Sequence, residues 1–171
     1  MISMDEDKII ELLESEKELS GFMAQANQIL YSTLRYFLPY VFVSDPDIQE
    51  YAVKPLLAKA GPLDDIYVAL RLIYALGQMR REVYADIFSF IQFNEYIYSR
   101  AKTMPFDHEM VYEFINNLRT ISETDFSVRA VNEMRFADFA IYSRTRCISL
   151  IKTSLSLAVM TIVKELDPAR A

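Results

Sequence analysis

The chain has 171 residues, enough for one domain with a core that needs neither a disulfide nor a metal ion. Apolar residues make up 52% and charged residues 25%, which excludes a disordered chain and a low-complexity fibre. The net charge is −6, of which the first twenty residues, with seven acids and two lysines, contribute −5. The nearly neutral remainder lacks the positive field that draws proteins to phosphate backbones, so direct DNA binding is disfavoured but stays open.

The sequence also indicates a reducing compartment. Cys147 is the only cysteine, so no disulfide can form within the chain. The acidic N-terminus is the opposite of a signal peptide, which begins with basic residues. The most apolar stretch has eleven uncharged residues between Lys152 and Lys164, against the roughly 20 that a bilayer span needs. We therefore expect a cytoplasmic protein with no membrane segment.

With only three glycines and six prolines, the composition favours an all-α fold, and no segment shows the alternation of a half-buried strand. We predict a single compact multi-helix bundle over residues 1–171, with a long buried C-terminal helix beginning near Asn132. The apolar positions expected in the core along this last part of the chain are Phe136, Phe139, Ala140, Cys147, Ile148, Ile151, Leu155, Ala158, Val159 and Ile162.

Two capping boxes mark helix starts near the N-terminus. Ser3 with Glu6, and Ser15 with Glu18, have the spacing at which a hydroxyl and a carboxylate satisfy free helix amides. The first box lies in an acidic helical segment, residues 1–20. The second box predicts a long amphipathic helix, which Pro39 should kink or end near Val43 because proline lacks the amide hydrogen.

Prolines and glycines punctuate the next part of the chain. Asp45 before Pro46 predicts a helix start, and we expect Pro55 to interrupt that helix and Gly61 to stop it. Pro62 is then expected to open the following helix.

Further along, Gly77 is expected to end that helix, and residues 80–102 are compatible with helix throughout. Asp107 is predicted to cap a shorter helix that ends at Arg119. The polar run SETD, residues 122–125, predicts a loop.

The residue types offer no catalytic, cofactor or metal site. His108 and Cys147 occur once each, too few for zinc sites built from several such ligands, and their surroundings favour a surface histidine and a core cysteine. The three glycines are isolated, so no phosphate-binding loop is present. Asp64 and Asp65 at a helix start fit compensation of the helix dipole better than acid–base catalysis, because adjacent helical residues point about 100° apart. We expect no enzyme.

One segment has the outline of a helix-turn-helix. A helix ending at Gly77 is followed by a second helix that starts with Arg80 and Arg81. Bulky Ile73 stands where that motif needs a small residue, and Asp86 stands where it buries an apolar one. Two core helices joined by a tight turn, with a solvated arginine pair, are the better interpretation.

The middle of the chain, EYAVKPLLAKAGPLDDIYVALRLIYALGQM, resembles the signature stretch of the mannitol operon repressor family of bacterial transcriptional regulators. FADFAIYS and KTSLSLAVMTIVKEL are similar to a branch of paralogues of the mannitol repressor itself. The positions that carry the resemblance are Tyr51, Ala52, Val53, Pro55, Leu56, Leu57, Gly61, Pro62, Leu63, Asp65, Val68, Leu70, Leu72, Ile73, Tyr74, Leu76 and Gly77.

The resemblance implies an all-helical repressor of a sugar or sugar-alcohol operon, such as mannitol uptake, located in the cytoplasm, with no cofactor and no recognisable DNA-binding motif. We expect repression through a protein partner, either a DNA-binding regulator or a component of the sugar phosphotransferase system. A homodimer is possible. The residues that we select as a possible partner surface are Tyr51, Asp64, Asp65, Arg80 and Arg81.

Two alternatives stay open. A basic face that joins Arg80 and Arg81 to Arg144 and Arg146 would support direct DNA binding. A small-molecule sensor would need polar groups that converge on an internal pocket, and the charged residues within apolar stretches that could supply them are Arg71, Asp138 and Lys152.

Overall fold

The computed structural model describes residues 6–122, 125–136 and 143–168, and within these ranges all regular secondary structure is helical. The prediction of an all-α fold is thereby confirmed. A 3₁₀ turn, Leu38–Val41, follows the second helix, and a π-helical turn, Gln49–Val53, lies between the third and the fourth. The helices are α1 (Glu6–Ser15), α2 (Leu19–Phe37), α3 (Pro46–Ile48), α4 (Lys54–Leu57), α5 (Ile66–Ala75), α6 (Arg81–Ser99), α7 (Glu109–Asn117), α8 (Phe126–Phe136) and α9 (Arg144–Glu165).

Helix α9 lies at the centre of the bundle. It packs against α1, α2, α6, α7 and α8, and Ile151, Leu155 and Ile162 are fully buried along it. Among the described residues, α9 is the one helix long and apolar enough to cross a membrane, and half of its most apolar window is buried within the protein. This packing is that of a core helix, which confirms the expected long buried C-terminal helix.

The acidic N-terminal segment is part of the bundle. Helix α1 buries Ile9 and Leu13 and packs against α2 and α9, while its acidic residues face outward. The start predicted for α2 is wrong. Ser15 is the last residue of α1, where its hydroxyl donates to the carbonyl oxygen of Leu12 (2.8 Å), and α2 begins at Leu19 without a side-chain cap. Ser3 of the other predicted box lies outside the described residues.

The two prolines within helical segments act differently. Pro39 ends α2 as predicted, because the chain tightens there into a 3₁₀ turn. Pro55 does not interrupt its helix, so that prediction is wrong. The chain stays helical from Pro46 to Leu57, and the wide π-helical turn just before Pro55 accommodates the missing amide and the proline ring. Asp45 accepts hydrogen bonds from the amides of residues 47 and 48, which confirms the predicted start.

Helix α5 starts four residues later than predicted. Pro62 lies in the turn that precedes it, and Asp65 is the N-cap, with its carboxylate accepting from the amides of Tyr67 (2.8 Å) and Val68 (3.2 Å). A carboxylate that reaches two free amides fixes the helix start better than a proline does. Gly77 ends the helix as predicted, with a φ of 69°.

The cap predicted for α7 is also wrong by one residue. His108 is the cap and accepts from the amide of Met110 at Nδ1 (3.2 Å), because the carboxylate of Asp107 is engaged by Arg144. His108 is half-buried, so it is not the freely solvated histidine that the sequence suggested. The helix ends at Asn117 and not at Arg119.

The last helix begins at Arg144, twelve residues after the predicted Asn132, which belongs to α8. Ser143 supplies the cap by accepting from the amide of Arg146 (3.3 Å). Phe136, expected in the core, is 82% exposed because α8 ends there. Phe139 and Ala140 lie outside the described residues.

Candidate interaction surfaces

The corner between α4 and α5 is held by its own acids. Asp64 accepts from the amide of Ala60 (2.9 Å) and lies 3.5 Å from the guanidinium of Arg35, while Asp65 caps α5. Arg35 also donates to the carbonyl oxygens of Leu57 (2.6 Å) and Leu63 (3.2 Å). Asp64 and Asp65 thus stabilise the fold at this corner. No local sequence pattern marks Arg35, because its partners lie 22 to 29 positions away.

Tyr51 has a different environment. It lies in the π-helical turn with 80% of its surface exposed. The side-chain amide of Gln49, two residues earlier, donates from Nε2 to the carbonyl oxygens of Val43 (2.8 Å) and Pro39 (3.4 Å), which ties this turn to the segment after α2. Other large apolar side chains on these two segments are exposed as well. We call Tyr40, Val43, Ile48 and Tyr51 together the Tyr51 surface.

The two arginines after the α5–α6 turn differ in their contacts. Arg80 forms an ion pair with Glu165 at the end of α9, and this hydrogen bond raises the pKa of Arg80 above its ordinary value. The pair borders a cavity of about 310 Å³ between the α5–α6 turn and the end of α9. Arg81 is exposed at the first position of α6.

The proposed basic face is not assembled. Arg80 lies beside Glu165 at one end of α9, whereas Arg144 and Arg146 lie at its other end, about 30 Å away at 1.5 Å per residue. Arg144 is also engaged, because its guanidinium donates two hydrogen bonds to Asp107 (2.8 and 3.1 Å). These bonds lower the pKa of Asp107 below its usual range, against an opposing effect of burial.

The segment with a helix-turn-helix outline forms two core helices. Ile73 is fully buried, and the turn closes with a hydrogen bond from the amide of Gln78 to the carbonyl oxygen of Ile73 (3.1 Å). Asp86 is buried too, and its carboxylate accepts from the backbone amides of Arg119 and Thr120. This residue therefore fixes the α7–α8 connection against α6.

The residues considered for metal binding, catalysis or ligand sensing do not come together in one site within the described ranges. Within the described ranges, no three His, Cys, Asp or Glu residues gather closely enough to hold a metal ion. Cys147 is buried with its sulfur 3.5 Å from that of Met134. Arg71 lies over the ring of Tyr67, and Lys152 donates to the carbonyl oxygen of Glu14 (3.1 Å). The sensor candidates Arg71 and Lys152 thus make separate contacts, and Asp138 lies outside the described residues.

By class, then, the described residues form an all-helical bundle that exposes the apolar Tyr51 surface beside a π-helical turn. The chain belongs to the mannitol repressor family, whose sequence profile matches residues 5–167. The resemblance seen in the sequence is thereby confirmed.

Two relatives show how the similarity is distributed. Fumarase E of Escherichia coli (strain K12) is 47% identical over 169 residues, which are 98% of this chain and 100% of that protein. The mannitol operon repressor of the same strain is 37% identical over 81 residues, 47% of this chain and 42% of the repressor.

Solved structures share the fold. The crystal structure of a possible transcriptional regulator, YggD from Shigella flexneri, superposes with a TM-score of 0.90 at 45% identity, covering 97% of this chain and 99% of that one. The X-ray structure of the MtlR-HPr complex from Escherichia coli gives a TM-score of 0.75 at 22% identity, covering 94% of this chain and 97% of its match. At that lower identity, the second comparison establishes the fold alone.

Proposed function

We propose that this protein represses transcription of a sugar or sugar-alcohol operon by binding a protein partner in the cytoplasm. Membership of the mannitol repressor family supports a repressor. The separation of Arg80 from Arg144 and Arg146, and the ion pairs of Arg80 and Arg144, favour a protein partner over DNA. In this proposal the chain has no catalytic activity.

The partner that we propose is a protein of the phosphotransferase system. A relative with the same fold was solved in complex with HPr, which supports HPr or a protein like it as the partner. A DNA-binding regulator is the alternative partner, and a homodimer is compatible with either.

The Tyr51 surface is the contact that we propose, and the exposure of Tyr51 is the observation that carries it. Tyrosine is enriched at the centres of protein interfaces because it buries a large area at little cost in side-chain entropy. The π-helical turn that presents Tyr51 is an irregularity common at functional sites. In this proposal the other selected residues have lesser roles. Each of Arg81, Asp64 and Asp65 either contacts the partner at the edge of the interface or serves only to stabilise the fold.

Titration of the purified chain with purified HPr tests both proposals. We expect Tyr51→Ala to weaken binding by at least about tenfold, the effect of losing an interface hot spot. Tyr98→Ala is the matched control, since Tyr98 is 66% exposed on α6 and outside the Tyr51 surface. Equal loss in both variants would reject the surface, and binding of a DNA-binding regulator in place of HPr would reject the phosphotransferase partner.

Direct DNA binding is tested separately by gel shift. Tight, salt-dependent retention of operator DNA by the isolated chain, abolished by reversing the charge of Arg144 and Arg146, would replace the partner proposal. Transcript levels in a deletion strain grown on mannitol and on other sugars would identify the operon.

A second candidate function is turnover of fumarate. The observation that favours it is the 47% identity, over nearly the whole chain, to a protein named Fumarase E. The test is the conversion of fumarate to malate by the purified chain, followed by the ultraviolet absorbance of fumarate. Conversion of fumarate to malate that copurifies with the chain would refute a purely regulatory role.

A further inference from the structure

Helix α8 presents a row of four exposed residues on one face, which we call the α8 stripe: Phe126, Arg129, Glu133 and Phe136. They are separated by three, four and three positions, the spacing that keeps side chains on one side of an α-helix. The opposite face of α8 is buried against α7 and α9. The function proposed above does not use this stripe.

The two ends of the α8 stripe are exposed aromatic rings. Phe126 is 80% exposed and Phe136 is 82% exposed. The guanidinium of Arg135, which forms an ion pair with Glu109 of α7, lies over the ring of Phe136 at 5.3 Å from its centroid. This contact holds the ring at the surface. Two large apolar side chains on one exposed helix face indicate a surface that another molecule covers.

The middle of the α8 stripe carries one charge of each sign. Arg129 and Glu133 are four positions apart, close enough to pair along the helix, yet neither forms an ion pair within the ranges that the structure describes. A cation that precedes an acid is also the less favourable order for stabilising an isolated helix. Both charges are therefore available to a second molecule.

The α8 stripe is symmetric about its centre. Phe126 and Phe136 each lie five positions from Val131, and Arg129 and Glu133 each lie two positions from it. If a second copy of α8 lies antiparallel across a two-fold axis at this centre, each phenylalanine faces a phenylalanine and each arginine faces a glutamate. A two-fold interface has this reciprocal property, because the same patch of both subunits must be complementary to itself.

We propose that two copies of this chain form a homodimer through antiparallel pairing of their α8 helices. Phe126 of each copy packs against Phe136 of the other, and Arg129 of each copy pairs with Glu133 of the other. The four rings together cover roughly 600–1,000 Å², at about 150–250 Å² each. Stable interfaces bury about 1,200–2,000 Å² in total, so this dimer is weak and its population depends on concentration.

Sedimentation velocity of the purified full chain tests the pairing. Concentrations from about 1 μM to about 1 mM cover the affinities of so small an interface. We expect the weight-average sedimentation coefficient to rise from that of a monomer toward that of a dimer. Phe126→Ser should weaken self-association by at least about tenfold, as loss of an aromatic anchor does.

Charge reversal tests the register of the two helices. Arg129→Glu or Glu133→Arg alone sets like charges against each other at both pairs, so each should weaken self-association by at least about tenfold. Arg71→Glu is the matched control, since Arg71 is exposed on α5, which packs against α2 and α6. This control should dimerise like the unmodified chain.

Exchange of the two charges distinguishes pairing from a structural role. The double variant, Arg129→Glu with Glu133→Arg, restores opposite charges at both pairs and should regain self-association. An equimolar mixture of the two single variants should form a heterodimer, because one chain then carries two acids and the other two bases at the facing positions. All these positions are exposed, so the thermal midpoints should change little.

Three results would overturn the homodimer: a monomer at the highest concentration, unchanged self-association in both single reversals, or no recovery in the double variant and in the mixture. Titration of the same variants with HPr separates this proposal from the partner proposal, because the Tyr51 surface contains no residue of the α8 stripe. If the variants lost HPr binding while the unmodified chain stayed monomeric, the stripe would belong to the partner contact and not to a second copy.

Discussion

Asp86 accepts two hydrogen bonds from Thr120 at one carboxylate oxygen, from the backbone amide and from the hydroxyl, both at 2.7 Å. The amide of Arg119 donates to both carboxylate oxygens (2.9 and 3.0 Å), and Asp86 is only 1% exposed. Asp86→Ala should lower the free energy of unfolding by about 3 kcal/mol or more, because buried amides left without acceptors cost about 1–3 kcal/mol each. Urea denaturation followed by circular dichroism measures this loss.

Thr120→Val is the matched control for that variant. It removes only the hydroxyl hydrogen bond and keeps the shape of the side chain, so we expect a loss of about 1 kcal/mol. If Asp86→Ala cost no more than Thr120→Val, the carboxylate would not be what holds the α7–α8 connection.

In the sequence, Asp86 stood out only because it violated the helix-turn-helix pattern. Its acceptor role was hidden, since the amides that it binds lie 33 and 34 positions later and carry no pattern of their own. The same limit explains why the contacts of Arg35 could not be predicted from the sequence. Periodicity reports which face of a helix is buried, but not which distant backbone group a polar side chain will meet.

The corner after α4 depends on Gly61. A Cβ atom there would lie 2.8 to 2.9 Å from the carbonyl oxygens of Ala58, Pro55 and Leu56, none of which can move without shifting the backbone. We expect Gly61→Ala to lower the free energy of unfolding by about 1–3 kcal/mol, as overpacked sites do. Thermal unfolding of the purified variants is a sufficient measurement.

At the neighbouring residue, Ala60, we expect a substitution to change the free energy of unfolding in the opposite direction. Ala60 has a φ of 62°, a left-handed conformation that costs an L-residue about 1 kcal/mol and costs glycine little. Ala60→Gly should therefore leave stability unchanged or raise it by up to about 1 kcal/mol, after the greater freedom of glycine in the unfolded chain is counted. A drop as large as that of Gly61→Ala would contradict this account of the corner.

Removing the side-chain cap of α5 should lower the free energy of unfolding by less than the loss expected for Asp86→Ala. Asp65→Ala leaves the amides of Tyr67 and Val68 without their acceptor, and loss of such a cap typically costs about 1 kcal/mol. Asp65→Asn is the control and should retain most of the stability, since asparagine caps helices nearly as well. Binding of HPr by Asp65→Ala at a temperature where it is folded shows whether Asp65 also contacts a partner.

Local chemistry explains which parts of the fold could be predicted. The all-α class, the cap at Asp45 and the end of α5 at Gly77 follow from composition and turn residues alone. The predicted starts at Ser15, Pro62 and Asn132 were wrong because other residues begin these helices: Asp65 and Ser143 cap α5 and α9 with their side chains, and α2 begins at Leu19 without such a cap. Tyr51 was selected from the sequence as a contact, but its exposure on a π-helical turn required the structure.

The ion pair between Asp107 and Arg144 predicts a pH dependence. It joins the connection before α7 to the first turn of α9, and the hydrogen bonds from Arg144 lower the pKa of Asp107 in the folded chain. A carboxyl group whose pKa is depressed on folding stabilises the fold above its unfolded pKa, about 3.9, and loses that contribution as the pH falls through the folded pKa. Asp107→Asn should therefore be less stable than the unmodified chain at neutral pH.

That difference should stay constant down to about pH 4 and then shrink toward zero as Asp107 itself becomes protonated. Denaturant unfolding of both chains across this range measures it. Arg144→Gln should follow the same curve, because removing the cation returns the pKa of Asp107 toward its usual value. The double variant should add nothing further at any pH if the two residues stabilise the fold only through each other. A difference that persists unchanged at the lowest pH would instead assign the effect of Asp107→Asn to packing, since packing does not titrate.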